Sequence, residues 1–268
     1  MTETTSTTDS KILKVAVIQM AIGDEPKEHR FQRIATLLDQ TRDSNLILLP
    51  ELWNVGYFAF DRYQKDSEPI TGPTVQLIQA KARELGAHIM GGSFIEEENG
   101  RHYNTTVLTG PTGQIIATYR KIHLFGYGSE ERQLLTPGDK IGTVSTRKGT
   151  FGMTTCFDLR FPELYRRLLD DGTEMFLVAS AWPHPRLEHW KIMTRARAIE
   201  NQSFLAAANC TGINRGKQYC GHSVILDPFG KVLAEGGEEE AILRAEIDLR
   251  EVVQARDAFP AVKSRVFK

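Results

Sequence analysis

Three side chains of complementary chemistry each follow a hydrophobic run: the carboxylate of Glu51, the ammonium of Lys121 and the thiol of Cys156. A thiol needs a base to become a nucleophile, and a carboxylate whose pKa is raised by burial can take its proton. A tetrahedral intermediate at an acyl carbon needs donors for its oxyanion. An ammonium group together with the Phe157 N–H after the cysteine would supply them. The same carboxyl group could then protonate a departing amine and activate water. Each of Glu51 and Lys121 alone would read as a solvated surface charge, and their distance in sequence does not bring them together.

Cys156 stands where the pattern changes. An uncharged run over residues 150–155 leads up to it, and from Phe161 the apolar residues fall at Phe161, Leu164, Tyr165, Leu168 and Leu169, which is helical spacing. Pro162 occupies a first helical turn. A cysteine at such a strand-to-helix turn is expected to be exposed and acidified by the positive end of a helix dipole. The competing expectation is a small buried core residue.

The elements that would position these groups alternate along the chain. Strands are expected over residues 13–20, 45–51, 87–95, 102–108, 114–123, 150–155, 174–182, 204–210, 222–226 and 241–247. Helices are expected over 25–42, 73–85, from 161, 184–202 and 251–259. Asn99-Gly100 is a hairpin signal, and the long polar loop over 124–140 reads as functional. With no interior linker, the pattern implies one α/β domain, a sheet sandwich flanked by helices. Its extent is taken as 12–262, after a disordered Thr/Ser-rich lead-in over 1–11 and before a basic tail over 263–268.

The 268 residues are 41% hydrophobic and 25% charged, enough to bury an ordinary core without staples. A formal net charge of −1 gives no footprint for nucleic acid or an anionic membrane. Cys156, Cys210 and Cys220 are too few and odd in number for a disulfide framework, and no run reaches a membrane span. A cytoplasmic protein is expected. The histidines are scattered, and His184 and His189 miss the i, i+4 spacing of a helical zinc pair, so no metal or other cofactor is expected.

Leu49-Pro50-Glu51-Leu52-Trp53, Tyr119-Arg120-Lys121-Ile122-His123-Leu124-Phe125 and Cys156-Phe157-Asp158-Leu159-Arg160-Phe161-Pro162-Glu163 resemble the three signature blocks of the nitrilase superfamily, the carbon–nitrogen hydrolases. The resemblance runs from about residue 14 to about residue 262. It implies a four-layer α-β-β-α sandwich and a Glu-Lys-Cys triad of Glu51, Lys121 and Cys156. It also implies a second glutamate in the loop before Pro137-Gly138, matched by Glu131 rather than its neighbour Glu130. Ser180-Ala181-Trp182-Pro183, Arg186-Leu187-Glu188-His189-Trp190 and Trp53-Asn54-Val55-Gly56-Tyr57 are further similar to the omega-amidase group, which hydrolyses 2-oxoglutaramate or 2-oxosuccinamate. A nitrilase or an N-carbamoyl amino acid hydrolase would use the same triad, and a non-catalytic scaffold could keep the fold.

A short substrate with a terminal carboxylate would need a cationic or hydroxyl contact. Arg160 and Tyr57 are the candidates, with Phe125 and Trp182 as pocket walls; a structural pair with Glu163 is the alternative for Arg160. Arg195, Arg197 and Glu200 are read as helix contacts in the core or at a subunit interface, since relatives commonly form dimers through this region. A homo-oligomer is therefore expected.

Overall fold

The structure is a computed structural model that describes residues 11–267. The lead-in expected at the N-terminus lies, through Ser10, outside the described residues, as does Lys268. In chain order the first half comprises β1 (Ile12–Gln19), α1 (Lys27–Asp39), β2 (Leu46–Leu48), α2 (Pro73–Leu85), β3 (His88–Glu98), β4 (Arg101–Thr109), β5 (Ile115–Arg120) and the short α3 (Glu131–Leu134). The second half follows with β6 (Gly142–Ser145), β7 (Thr150–Thr155), a 3-10 turn (Cys156–Arg160), α4 (Pro162–Asp170), β8 (Met175–Ser180), a second 3-10 turn (His184–Arg186) and α5 (Leu187–Asn201). It ends with β9 (Phe204–Asn209), β10 (Ile213–Asn214), β11 (Lys217–Gln218), β12 (Val224–Leu226), β13 (Val232–Glu235), β14 (Ala241–Asp248) and α6 (Arg250–Ala258).

Two six-stranded sheets form, in the orders β14-β1-β2-β3-β4-β5 and β13-β12-β9-β8-β7-β6. The centre of each is parallel: β1-β2-β3 in one, β7-β8-β9 in the other. Parallel strands covered on both faces read as continuous apolar runs, and these do. Their alternate residues serve two different cores. Val15 and Val17 of β1 join Met175, Leu177 and Ala179 of β8 between the sheets. Ala16 and Ile18 face the other way, with Ile34 and Leu38 of α1 and Ile78 of α2. Phe176 and Val178 of β8 likewise pack with Leu164, Tyr165 and Leu168 of α4 and with Trp190 of α5. The result is the α-β-β-α sandwich that the resemblance implied. Fully burying each valine, leucine, isoleucine, phenylalanine or methionine among them contributes about 1.5–3 kcal/mol.

The segment expected as one helix over 184–202 is divided instead. Pro183 and Pro185 cannot donate the backbone bonds of a helix interior, and the α-helix starts only at Leu187. Strands β6 and β13 were not expected: both are four-residue edge strands of mixed burial, too short for a clear alternation. Between β10 and β11, Arg215 and Gly216 both take positive φ (51° and 71°) and close a two-residue hairpin that carries Lys217.

Two glycines allow the backbone to close in behind the site. Gly92, at φ 67° in a bulge of β3, is packed so that a Cβ would lie 2.1 Å from the Pro50 carbonyl oxygen, just before Glu51. A Cβ on Gly138 would lie 2.1 Å from the Arg120 carbonyl oxygen, just before Lys121. The Gly91-Gly92 pair thus has a packing role.

Candidate active site

Glu51 and Lys121 leave the first sheet beyond the carboxyl ends of β2 and β5, and Cys156 leaves the second sheet directly after β7. Facing the two sheets brings the three exits together, and no stretch of one chain segment could do so. Glu51 is tied across the sandwich: its N–H donates to the Ser180 carbonyl at 3.2 Å, and its Oε2 accepts from the Ala181 N–H at 2.9 Å.

Lys121 Nζ donates to Glu51 Oε1 at 2.9 Å and to both oxygens of Glu131, at 2.8 and 3.0 Å. All three side chains have no exposed surface. Glu131 opens α3 within the loop expected to be functional. It also accepts from the Phe125 N–H (2.7 Å) and the Tyr57 hydroxyl (3.2 Å). Asn104 on β4 spans the two carboxylates, with Nδ2 2.8 Å from Glu51 Oε1 and 3.0 Å from Glu131 Oε1. Ser129 receives or donates a bond with Tyr57 Oη at 3.0 Å and accepts from the Glu131 N–H. Asn104 and Ser129 had escaped sequence reasoning. The available signal was an amide inside a strand that is otherwise buried.

Burial pushes Glu51 above its ordinary carboxylate range, and the charge of Glu131 adds to this, while Lys121 and Asn104 pull the other way. For Lys121 burial favours loss of the proton, but Glu131 and Glu51 together outweigh it and hold the ammonium well above its usual range. The cluster is therefore a buried ammonium held between two carboxyl groups, one of which is poised to carry a proton.

Cys156 lines the floor of a cavity of about 430 Å³ that opens to solvent. Its φ of 45° lies in the left-handed region, a strained geometry that a tight network maintains. Asp158, fully buried, is the centre of that network. Its Oδ2 accepts from the Thr155 N–H (2.9 Å) and the Tyr119 hydroxyl (2.6 Å). Its Oδ1 accepts from the His123 N–H at 3.1 Å and lies 2.7 Å from His123 Nδ1. Tyr119 and His123 flank Lys121, so one carboxylate links the cysteine's turn to the lysine's strand. Arg197 adds a bond from Nε to the Leu159 carbonyl at 2.9 Å and pairs with Glu200 at 2.7 Å, the core role among those expected for it.

The expectation of an exposed, acidified thiol fails. Cys156 is only 8% exposed, and burial, followed by the charge of Glu51, raises its pKa, with Lys121 opposing. The reason is local: Cys156 opens a five-residue 3-10 turn, and the α-helix whose dipole was invoked begins only at Pro162. The resting residue is a neutral thiol that needs a base. Phe157 is the second residue of this turn, a position whose N–H has no carbonyl partner within the turn.

The other predicted residues gather around the same cavity. Tyr57, Phe125, Phe157, Arg160 and Trp182 all line it. The Tyr57 hydroxyl is already committed to Ser129 and Glu131, which makes Tyr57 a support for Glu131 as well as a wall. Arg160 makes no ion pair with Glu163; its guanidinium lies over the Trp182 ring at 4.9 Å, with Nη2 3.1 Å from His189 Nδ1. Arg186 and Lys217, to which sequence reasoning gave no role at the site, line the cavity too, and among the described residues no aspartate or glutamate does.

Comparison with known proteins follows the same lines. The carbon–nitrogen hydrolase family model matches residues 14–257. The 2-oxoglutaramate amidase of Paenarthrobacter nicotinovorans is 38% identical over 262 residues, covering 94% of this chain and 89% of that protein. The 2-oxoglutaramate amidase of Bacillus subtilis is 40% identical over 222 residues, covering 82% and 85%. Among solved structures, Saccharomyces cerevisiae Nit3, a member of branch 10 of the nitrilase superfamily, superposes with a TM-score of 0.87 at 33% identity, covering 96% of this chain and 97% of that one. A match of this extent, over the whole sandwich and all three strand exits, shows that the chain belongs to the carbon–nitrogen hydrolase family.

Proposed function

We propose that this hydrolase cleaves the terminal carboxamide of a small substrate that also bears a carboxylate, the omega-amide of a 2-oxo acid such as 2-oxoglutaramate. The observation that carries the reading is the wall of the cavity above Cys156, which presents Arg160, Arg186 and Lys217 and, among the described residues, no acidic side chain. The similarity to two 2-oxoglutaramate amidases supports it.

In this reading the amide carbon sits against Cys156, and Glu51 accepts the thiol proton as sulfur attacks. The oxyanion is held by Lys121 and the Phe157 N–H, groups already in place before the charge develops. Glu51 returns the proton to the amide nitrogen, ammonia leaves, and a thioester remains on Cys156. Water, losing a proton to Glu51, then attacks the thioester; the acid departs and the thiol is restored. Glu131 fixes Lys121 throughout and keeps its ammonium from collapsing onto Glu51 alone.

A homo-oligomer in a reducing compartment is proposed as well. Ile192 and Ile199 are exposed seven residues apart on α5, and the three cysteines are free. Among the described residues no helix is long and apolar enough to cross a membrane.

The test is ammonia release from 2-oxoglutaramate, run beside an aliphatic amide, a nitrile and an N-carbamoyl amino acid. Preference for the oxo-acid amide is the expected result. Turnover of the nitrile or the carbamoyl compound instead would replace the substrate class while leaving the nucleophile.

A further inference from the structure

The three cations of the cavity wall are not equivalent, and their surroundings separate them. Arg160 is partly occupied: its guanidinium rests on Trp182, and one end meets His189. Lys217 is exposed on the β10–β11 hairpin, above the Phe58 ring at 4.9 Å. Arg186 is half-buried, with its guanidinium 5.5 Å from the centre of the Phe125 ring. Among the described residues it has no carboxylate partner and no hydrogen-bond acceptor for its side chain.

The Arg186 backbone is held firmly. It closes the 3-10 turn between Pro183 and α5, donates its N–H to the Pro183 carbonyl at 3.1 Å, and accepts the Trp182 indole N–H at 2.8 Å. The residue that anchors Trp182, the support of Arg160, therefore also aims a second guanidinium into the same space. Burial first, and then the charge of Arg186, lowers the pKa of Arg160, as expected for two like charges with no anion between them. A guanidinium lying on an aromatic face keeps its N–H edge available for a planar, two-point contact with a carboxylate.

We infer that Arg186 is the principal specificity-determining residue of the cavity, binding the substrate's carboxylate in a clamp completed by Arg160, with Lys217 drawing the anion in from solvent. This rests on the reading of the enzyme as an amidase for carboxylate-bearing amides. The clamp fixes the far end of the substrate while Cys156 meets the amide carbon, so it selects both for charge and for the length between the two groups. Deleting one partner of a charge-assisted contact leaves the remaining charge unpaired, which is why the effect on selectivity is large.

The experiment measures kcat/KM for 2-oxoglutaramate and for a neutral amide of equal chain length, in the wild type, Arg186→Gln, Arg186→Lys and Arg160→Gln. The ratio of the two values is expected to fall roughly 10- to 100-fold in Arg186→Gln, with a smaller fall in Arg186→Lys, which keeps the charge but not the fork. Competitive inhibition by glutarate should weaken in the same order. A preference in the wild type that survives unchanged in both Arg186 variants would overturn the assignment and leave the proposed function standing. A wild type with no preference for the carboxylate substrate would overturn both.

Discussion

Charge is handled in opposite ways at the two ends of the cavity. Beneath Cys156, Glu51, Lys121 and Glu131 are fully buried and satisfy one another at 2.8–3.0 Å, with Asn104 bridging the carboxylates. At the rim, Arg160, Arg186 and Lys217 stack on aromatic rings and find no carboxylate among the described residues. Paired charges fix protonation and position, which chemistry requires. Unpaired charges on a half-exposed wall keep their electrostatic demand for a ligand. The inner cluster should therefore govern turnover, stability and pH response, and the rim should govern which substrate is chosen.

The most severe way to break the inner end is Cys156→Ala. Ammonia release should fall by on the order of 10⁴-fold or more, with the unfolding transition preserved, because the substitution removes the proposed nucleophile and no packing partner of size. Substantial residual turnover would remove Cys156 from its role. Lys121→Met comes next. It leaves Glu51 and Glu131 buried face to face, and breaking such a pair costs about 3–5 kcal/mol of stability, read as a lower denaturant midpoint. Loss of its oxyanion contact should also reduce kcat by about 10²- to 10³-fold. Removing a charge at the rim should cost little stability, within about 0.5 kcal/mol for Lys217→Gln.

The inner cluster also predicts two pH effects of opposite kind. Lys121 has its folded pKa raised above the ordinary 10.5, so its contribution to stability is complete below pH 10.5 and is lost as pH rises through the folded value. Thermal melts of the wild type should weaken on that alkaline side, and Lys121→Met should lack the decline. In the proposed mechanism Glu51 must be ionised to accept the thiol proton. Because burial raises it above 4.5, the acid limb of kcat/KM should lie above the pH of an ordinary carboxylate. Asn104→Ala removes a bond that lowers Glu51, and should move that limb higher.

Smaller effects sharpen the comparison. Asp158→Asn leaves every reacting group present but weakens the tie between the nucleophile's turn and the lysine's strand; kcat should fall by about 10²-fold through misplacement, with KM little changed. Lys217→Gln should reduce kcat/KM only a few-fold, and the reduction should vanish at high salt, where attraction across solvent is screened.

Much of the scaffold was legible because the strands are apolar on both faces and the helices carry one apolar stripe. Residues 45–51 and 174–182 read as strands for that reason, although the strands themselves stop at Leu48 and Ser180 and leave Glu51 and Ala181 in the site. The proposed triad was legible only through its resemblance to a family, since contacts across two sheets leave no local periodicity. The amide of Asn104 inside a buried strand was a signal without a direction, and Ser129 gave none, because one buried amide or hydroxyl looks the same in sequence whether it holds backbone or a buried carboxylate. The state of the thiol was misread for a physical reason: a strand-to-helix pattern does not reveal that a 3-10 turn intervenes, and burial outweighs any distant dipole. Arg186 was hidden inside a segment expected to be one continuous helix; Pro185 within that segment and Pro183 just before it break the helix and place Arg186 at the cavity.

The most direct measurement is a rapid acid quench of the enzyme during turnover of 2-oxoglutaramate, followed by intact-mass and peptide analysis. An adduct equal to the substrate less ammonia, confined to the peptide containing Cys156 and absent from Cys156→Ala, is the predicted result. Adduct formation on Cys210 or Cys220, or sustained ammonia release from Cys156→Ala, would contradict the account.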